Sequence, residues 1–221
     1  MEKSQQLLKE AVARAAVAEL VPGMMLGVGT GSTVDCFIDA MADSGLRITA
    51  AVASSERSAS RLRSRGFMVT PLSAITQPLD FYVDGADEID PSRCMIKGGG
   101  AALTREKIVA SASRRFLCIV DASKQVKVLG AFPLPVEVIE MALVPVSWAF
   151  SALGGRPVLR EGVVTDNGHP ILDVHGLRFE NPLEWEDRLN AIAGIVTHGI
   201  FARQKADLAL VATASGVVRL A

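Results

Sequence analysis

Residues 81–107 crowd together the side chains that move protons. Asp84, Asp87, Glu88 and Asp90 fall within seven positions, Lys97 follows with Gly98, Gly99 and Gly100 behind it, and Glu106 comes six residues later. A carboxylate can take a proton from carbon next to a carbonyl. A partly desolvated lysine can stabilise the oxyanion that results, with bare glycine backbone offering N–H donors beside it. Glu106 sits in the first turn of a helical run, where the helix dipole favours an ionised carboxylate whether or not it reacts. The set matches an aldose–ketose isomerisation of a sugar phosphate, which needs a base and an enediolate stabiliser but no redox cofactor.

Asp84 and Asp87 read most economically as metal-free acids bonded to sugar hydroxyls, with a magnesium site as the alternative. The spacing of a calcium loop is missing. Glu88 and Asp90 read as solvated acids beside a turn. Cys94 lies in the same segment, and with no histidine nearby in sequence it reads as an ordinary reduced thiol, as do Cys36 and Cys118. His169, His175 and His198 lack metal-ligand spacing and read as structural.

A second stretch supplies a place for phosphate. Gly27-Val-Gly-Thr-Gly-Ser-Thr33 runs from an apolar strand into a helix, so free N–H groups and the helix dipole point the same way. Gly29 and Gly31 let backbone approach an anion; Thr30, Ser32 and Thr33 add hydroxyls. The pattern lacks both the dinucleotide spacing and the lysine of a nucleotide loop, so a small phosphate ester fits better. A tight turn that merely caps its helix is the alternative. Lys124, in Asp121-Ala-Ser-Lys124, adds a cation at the end of a later strand.

These residues need a frame that brings strand ends to one edge. Hydrophobic periodicity predicts helices at 5–20, 34–42, 55–64 and 104–114, and strands at 24–28, 48–53, 67–72, 79–83 and 116–120. Such alternation makes a doubly wound, mostly parallel α/β sheet of Rossmann-like type, with ligands at the carboxyl ends of the strands. After Pro133 and Pro135 the order becomes strand 136–139, helix 143–153, strands 156–160 and 171–174, helix 183–191 and strand 195–200. That βαββαβ order is ferredoxin-like, and Asp166-Asn-Gly168 supplies the turn between its middle strands. Residues 206–220 return to the first sheet. The expected domains are therefore 1–131 with 205–221, Rossmann-like and catalytic, and an inserted ferredoxin-like α+β domain at 132–204.

Composition narrows the class. A net charge of −1 offers no surface for nucleic acid, and 21% charged against 49% hydrophobic residues excludes disorder. No apolar run approaches the roughly 20 residues that span a bilayer, and the acid-bearing N-terminus is no signal peptide. The expectation is a cytoplasmic protein with neither nucleic-acid nor membrane partners.

The motifs already quoted, together with Lys97-Gly-Gly-Gly-Ala-Ala-Leu-Thr-Arg-Glu106, Pro133-Leu-Pro-Val-Glu-Val138, Gly154-Gly-Arg156 and Val164-Thr-Asp-Asn-Gly168, resemble type A ribose-5-phosphate isomerases over nearly the whole chain. The resemblance implies interconversion of D-ribose 5-phosphate and D-ribulose 5-phosphate without metal or organic cofactor, by a homodimer or homotetramer. It implies that Glu106 carries the proton between C1 and C2, that Lys97 stabilises the enediolate, and that Asp84 and Asp87 assist ring opening and handle hydroxyl protons. Ligand-binding positions carried over are Lys9, Thr30, Gly31, Ser32, Thr33, Asp84, Gly85, Ala86, Asp87, Lys97, Gly98, Gly99, Gly100 and Lys124. The readings from other classes are a non-catalytic sugar-phosphate sensor, and a coenzyme A transferase or amino-sugar phosphate isomerase on the same sheet.

Overall fold

The computed structural model describes residues 2–221. In chain order the elements are α1 (Glu2–Val17), β1 (Met25–Val28), α2 (Ser32–Asp43), β2 (Ala50–Ala53), α3 (Glu56–Ser64), β3 (Phe81–Asp84), β4 (Glu88–Ile89), β5 (Met95–Ile96), α4 (Leu103–Ser111) and β6 (Phe116–Asp121). There follow β7 (Leu134–Val138), α5 (Leu143–Ala152), β8 (Arg156–Leu159), β9 (Ile171–His175), α6 (Pro182–Asn190), β10 (Ile195–His198), β11 (Ile200–Phe201), β12 (Leu208–Thr213) and β13 (Gly216–Leu220). The chain forms two compact units. One holds the chain up to Gly85, Arg105–Lys124 and Ala206–Ala221; the other holds Ala86–Thr104 and Gln125–Lys205.

The first unit is a six-stranded sheet in the order β13-β12-β6-β3-β1-β2, parallel except for β13. Its central strands are apolar at nearly every position because helices cover the sheet. Val12, Ala13 and Ala16 of α1 and Val34, Phe37, Ile38 and Met41 of α2 are fully buried in its core with Leu26, Val83 and Leu210. Local chemistry sets the helix ends. Ser55 accepts the Ser58 N–H at the start of α3 and arginines occupy its last turn. The strand expected at 67–72 reduces to a single parallel bridge between Val69 and Ala51, since Pro71 begins a short 3-10 turn there.

The second unit carries the ferredoxin-like pattern: elements β7, α5, β8, β9, α6 and β10 form an antiparallel sheet in the order β10-β7-β9-β8. The Asp166-Asn-Gly168 turn forms, closed by the Gly168 N–H on the Thr165 carbonyl, but inside a longer connection between β8 and β9. A small antiparallel sheet, β11-β5-β4, was not foreseen. It draws Ala86–Thr104 into this unit rather than the first, and Gly199 divides the strand expected at 195–200 between two sheets.

Candidate active site

In the first unit Asp84, the glycine-rich turn and Lys124 lie at the carboxyl ends of strands of the parallel sheet. Asp84 ends β3 and is fully buried. Its carboxylate accepts the Thr30 N–H at 3.1 Å, the Gly85 N–H at 2.7 Å and the Tyr82 O–H. Hydrogen bonds to a charged acceptor stabilise by about 1.5–3 kcal/mol each, so this side chain is fixed and its charge is satisfied. Gly29 makes the approach possible, because a Cβ there would lie 1.9 Å from the Asp84 carboxyl carbon.

The glycine-rich turn is held from its other side as well. The Thr30 hydroxyl bonds to Ser55 and lies 3.1 Å from the Ser58 hydroxyl, while Ser58 donates to the Gly29 carbonyl at 2.6 Å. Gly31, at φ +115°, is the N-cap of α2, so Ser32 and Thr33 occupy the first helical turn, ahead of the start expected at residue 34. Ser32 is exposed and Thr33 half-buried, both at the dipole's positive end. Lys124 follows β6 at the same sheet edge, and Lys9 lies half-buried on α1. Neither belongs to the hydrogen-bonded cluster around Asp84.

Glu106 is 3% exposed in the first turn of α4. Tyr82 links it to Asp84: burial, then the negative charges of Asp84 and Glu106, push the phenol well above its ordinary pKa. Tyr82 therefore keeps its proton and serves as a neutral donor. Tyr82, Ser55 and Ser58 carry no motif of their own in the sequence; the strand alternation that points Tyr82 and Asp84 to the same face of β3 is the one signal it holds for Tyr82.

In the second unit Asp87 and Lys97 come together through backbone. The Asp87 N–H donates to the Ile96 carbonyl at 2.8 Å, and an Asp87 oxygen accepts the Gly99 N–H at 2.8 Å. Lys97 is 3% exposed, with its ammonium 5.5 Å from the centre of the Phe201 ring. The Lys97 N–H donates to the Gly199 carbonyl at 2.9 Å, and Gly199 in turn donates to Pro135 at 2.8 Å. The Pro133-Leu-Pro135 motif thus backs the lysine. Gly98 adopts φ +107° and opens a turn closed by the Ala101 N–H on its carbonyl at 3.0 Å; Gly99 and Gly100 are exposed.

Two expectations change. Glu88 is not solvated: it is 3% exposed and its oxygens accept the N–H groups of Gly130 at 2.7 Å and Phe132 at 2.6 Å, tying the loop before β7 to β4. Asp90 is half-buried and accepts the Cys94 N–H at 2.9 Å, and burial raises its pKa. Cys94 itself is buried, and desolvation followed by the Asp90 charge pushes its thiol up to about 11, which leaves it inert at neutral pH.

Other residues of the quoted motifs have structural duties. Glu137 on β7 is fully buried and accepts from Thr104, from Thr165 at 2.9 Å and from Asn167 at 3.1 Å. It pins the first turn of α4. His198 is buried with a ring nitrogen 3.1 Å from the Asn190 amide oxygen, the position of a core histidine. Among the described residues, no three His, Cys, Asp or Glu side chains converge as a metal site.

A family model described as ribose 5-phosphate isomerase A (phosphoriboisomerase A) matches residues 50–216. A curated ribose-5-phosphate isomerase A of Methylibium petroleiphilum is 55% identical over 217 residues, covering 98% of this chain and 99% of the relative. Among solved structures, ribose 5-phosphate isomerase A from Neisseria gonorrhoeae matches with a TM-score of 0.96 and 45% identity, over 98% of this chain and 96% of that one. A D-ribose-5-phosphate isomerase in complex with phospho-erythronic acid matches with a TM-score of 0.92 and 35% identity, over 96% of this chain and 97% of that one.

Proposed function

The chain belongs to the ribose 5-phosphate isomerase A family, and from that premise we propose how its residues divide the chemistry. The enzyme interconverts D-ribose 5-phosphate and D-ribulose 5-phosphate, a step of the pentose phosphate pathway. In the open-chain aldose the Glu106 carboxylate takes the proton from C2. The C–H electron pair forms the C1–C2 double bond, and the carbonyl π pair moves onto O1. Lys97 stabilises this enediolate with its ammonium. Asp84 and Asp87 assist ring opening and move protons among the hydroxyl oxygens. Glu106 then returns its proton to C1 as the C2 carbonyl forms, so no electrons leave the substrate.

The observation that carries this assignment is the state of Glu106: a buried carboxylate in the first turn of a helix, beside a tyrosine that stays protonated. Low dielectric strengthens its interaction with the substrate, and the positive end of the α4 dipole lies beside it. The dipole end of α2, with Ser32 and Thr33, is the phosphate seat, and Lys9 and Lys124 complete it with charge. The phospho-erythronic acid held by a relative supports the enediolate reading, since its carboxylate carries the negative charge that an enediolate develops.

Assembly as a homodimer or homotetramer is supported by the apolar side chains left exposed on one stripe of the second unit: Met141, Val144 and Trp148, spaced three and four residues apart. No helix among the described residues is long and apolar enough to cross a membrane, and a cytoplasmic site of action is the reading we adopt. Purified protein, dialysed against a chelator and given ribose 5-phosphate, forms the ketose at full rate. An inert protein overturns the assignment, and activity restored only by a divalent cation overturns its metal-free form.

A further inference from the structure

Arg160 stands outside every motif assigned above, at the end of β8, yet all of its guanidinium nitrogens are engaged. Nε and Nη2 hold the Asp173 carboxylate of β9 at 2.8 and 2.5 Å, a bidentate pair that fixes the plane of the fork. Nη1 then reaches two backbone carbonyls, Gly98 at 3.0 Å and Gly99 at 3.2 Å. Both members of the ion pair are mostly buried, 16% and 18% exposed at the side chain.

The consequence follows from peptide geometry. No peptide bond here is cis, so each C=O is antiparallel to the next N–H. Drawing the Gly98 carbonyl to Arg160 turns the Gly99 N–H away from it, and that N–H is the one Asp87 accepts. Drawing the Gly99 carbonyl to Arg160 likewise turns the Gly100 N–H to the side away from Arg160. Glycines have no side chain to settle their peptide planes, and three in succession need an external restraint.

We propose that Arg160, locked by Asp173, is a positioning residue for the isomerase: it sets the Gly98 and Gly99 peptide planes so that Asp87 is anchored and the Gly100 N–H serves as a donor to the enediolate beside Lys97. This rests on the isomerase reading above. Lysine cannot replace it, because one ammonium cannot hold a carboxylate in two places and still reach two carbonyls.

The test measures kcat, KM and the affinity for 4-phospho-erythronate in the wild type, Arg160→Gln, Arg160→Lys and Arg160→Gln/Asp173→Asn, with folding checked by circular dichroism. In Arg160→Gln, kcat falls about 10- to 100-fold while KM changes by less than about threefold, and phospho-erythronate binding weakens in parallel with kcat. Arg160→Lys is impaired as well. The double variant, which no longer strands the Asp173 charge, stays as slow as Arg160→Gln. Wild-type kcat in a folded Arg160→Gln, or recovery of kcat in the double variant, overturns the proposal; a wild type inactive on ribose 5-phosphate overturns instead the reading beneath it.

Discussion

Asp84 and Asp87 are three residues apart, and the fold holds them in opposite ways. Asp84 is fully buried and receives three donors, while Gly29 packs against it too closely for any side chain. Asp87 is half-buried and holds an exposed glycine turn through one backbone N–H. The first arrangement takes its rigidity from a parallel sheet that surrounds the carboxylate. The second stands on β4 and β5, two residues each, and on the Arg160 fork. A buried group costs stability when its partners are lost, whereas a clamped loop costs catalytic geometry.

That contrast orders the expected effects of mutation. Glu106→Gln preserves shape and removes the proposed base, so kcat falls about 1,000-fold or more with ligand affinity retained. A kcat near wild type in this variant would sink the mechanism. Lys97→Ala comes next: kcat falls about 100-fold and KM moves little, because the proposed contact strengthens as the oxyanion develops. A pure KM effect would make Lys97 a ground-state binder.

Two glycine variants separate the regions directly. Gly29→Ala forces a Cβ against the Asp84 carboxyl group and lowers stability by about 1–3 kcal/mol in urea unfolding. Gly99→Ala meets Asp87 at 2.6 Å, but on an exposed turn that can shift; its stability stays within about 1 kcal/mol while kcat drops about tenfold. Equal loss of stability in the two would erase the distinction. Smallest of all is Cys94→Ala, which leaves kcat within about twofold because a thiol with pKa about 11 is protonated at pH 7.

The same division governs what the sequence made legible. The frame around Asp84 is local and periodic: strand, glycine turn and helix follow one another within about 20 residues, so β1, α2, β3 and α4 were readable with ends a turn or less adrift. What surrounds Asp87 depends on distant partners. Glu88 looked solvated because its donors, Gly130 and Phe132, lie 42 and 44 residues ahead. Arg160 looked like a strand end because the carbonyls it holds lie 62 and 61 residues behind. Gly199 looked like part of a strand, although its carbonyl closes on Lys97. Strands of two residues leave no period to detect, and side chains bonded to backbone leave no pattern of types at either end.

The place of β12 in the sheet of the first unit also bears on how the chain is made. β12 pairs with β6 along Leu208–Ala212 against Leu117–Asp121, yet the whole second unit except Ala86–Thr104 is encoded between them. At about 5–20 residues per second, the ribosome needs roughly 4–17 s to travel from Asp121 to Leu208. For that interval β6 is an unpaired parallel edge, apolar from Phe116 to Val120, the kind of surface that recruits other strands. Nascent chains halted after Lys205 should therefore bind chaperones more strongly than those extended through β13, and the last 16 residues act as the closing step of folding for the sheet that carries Asp84.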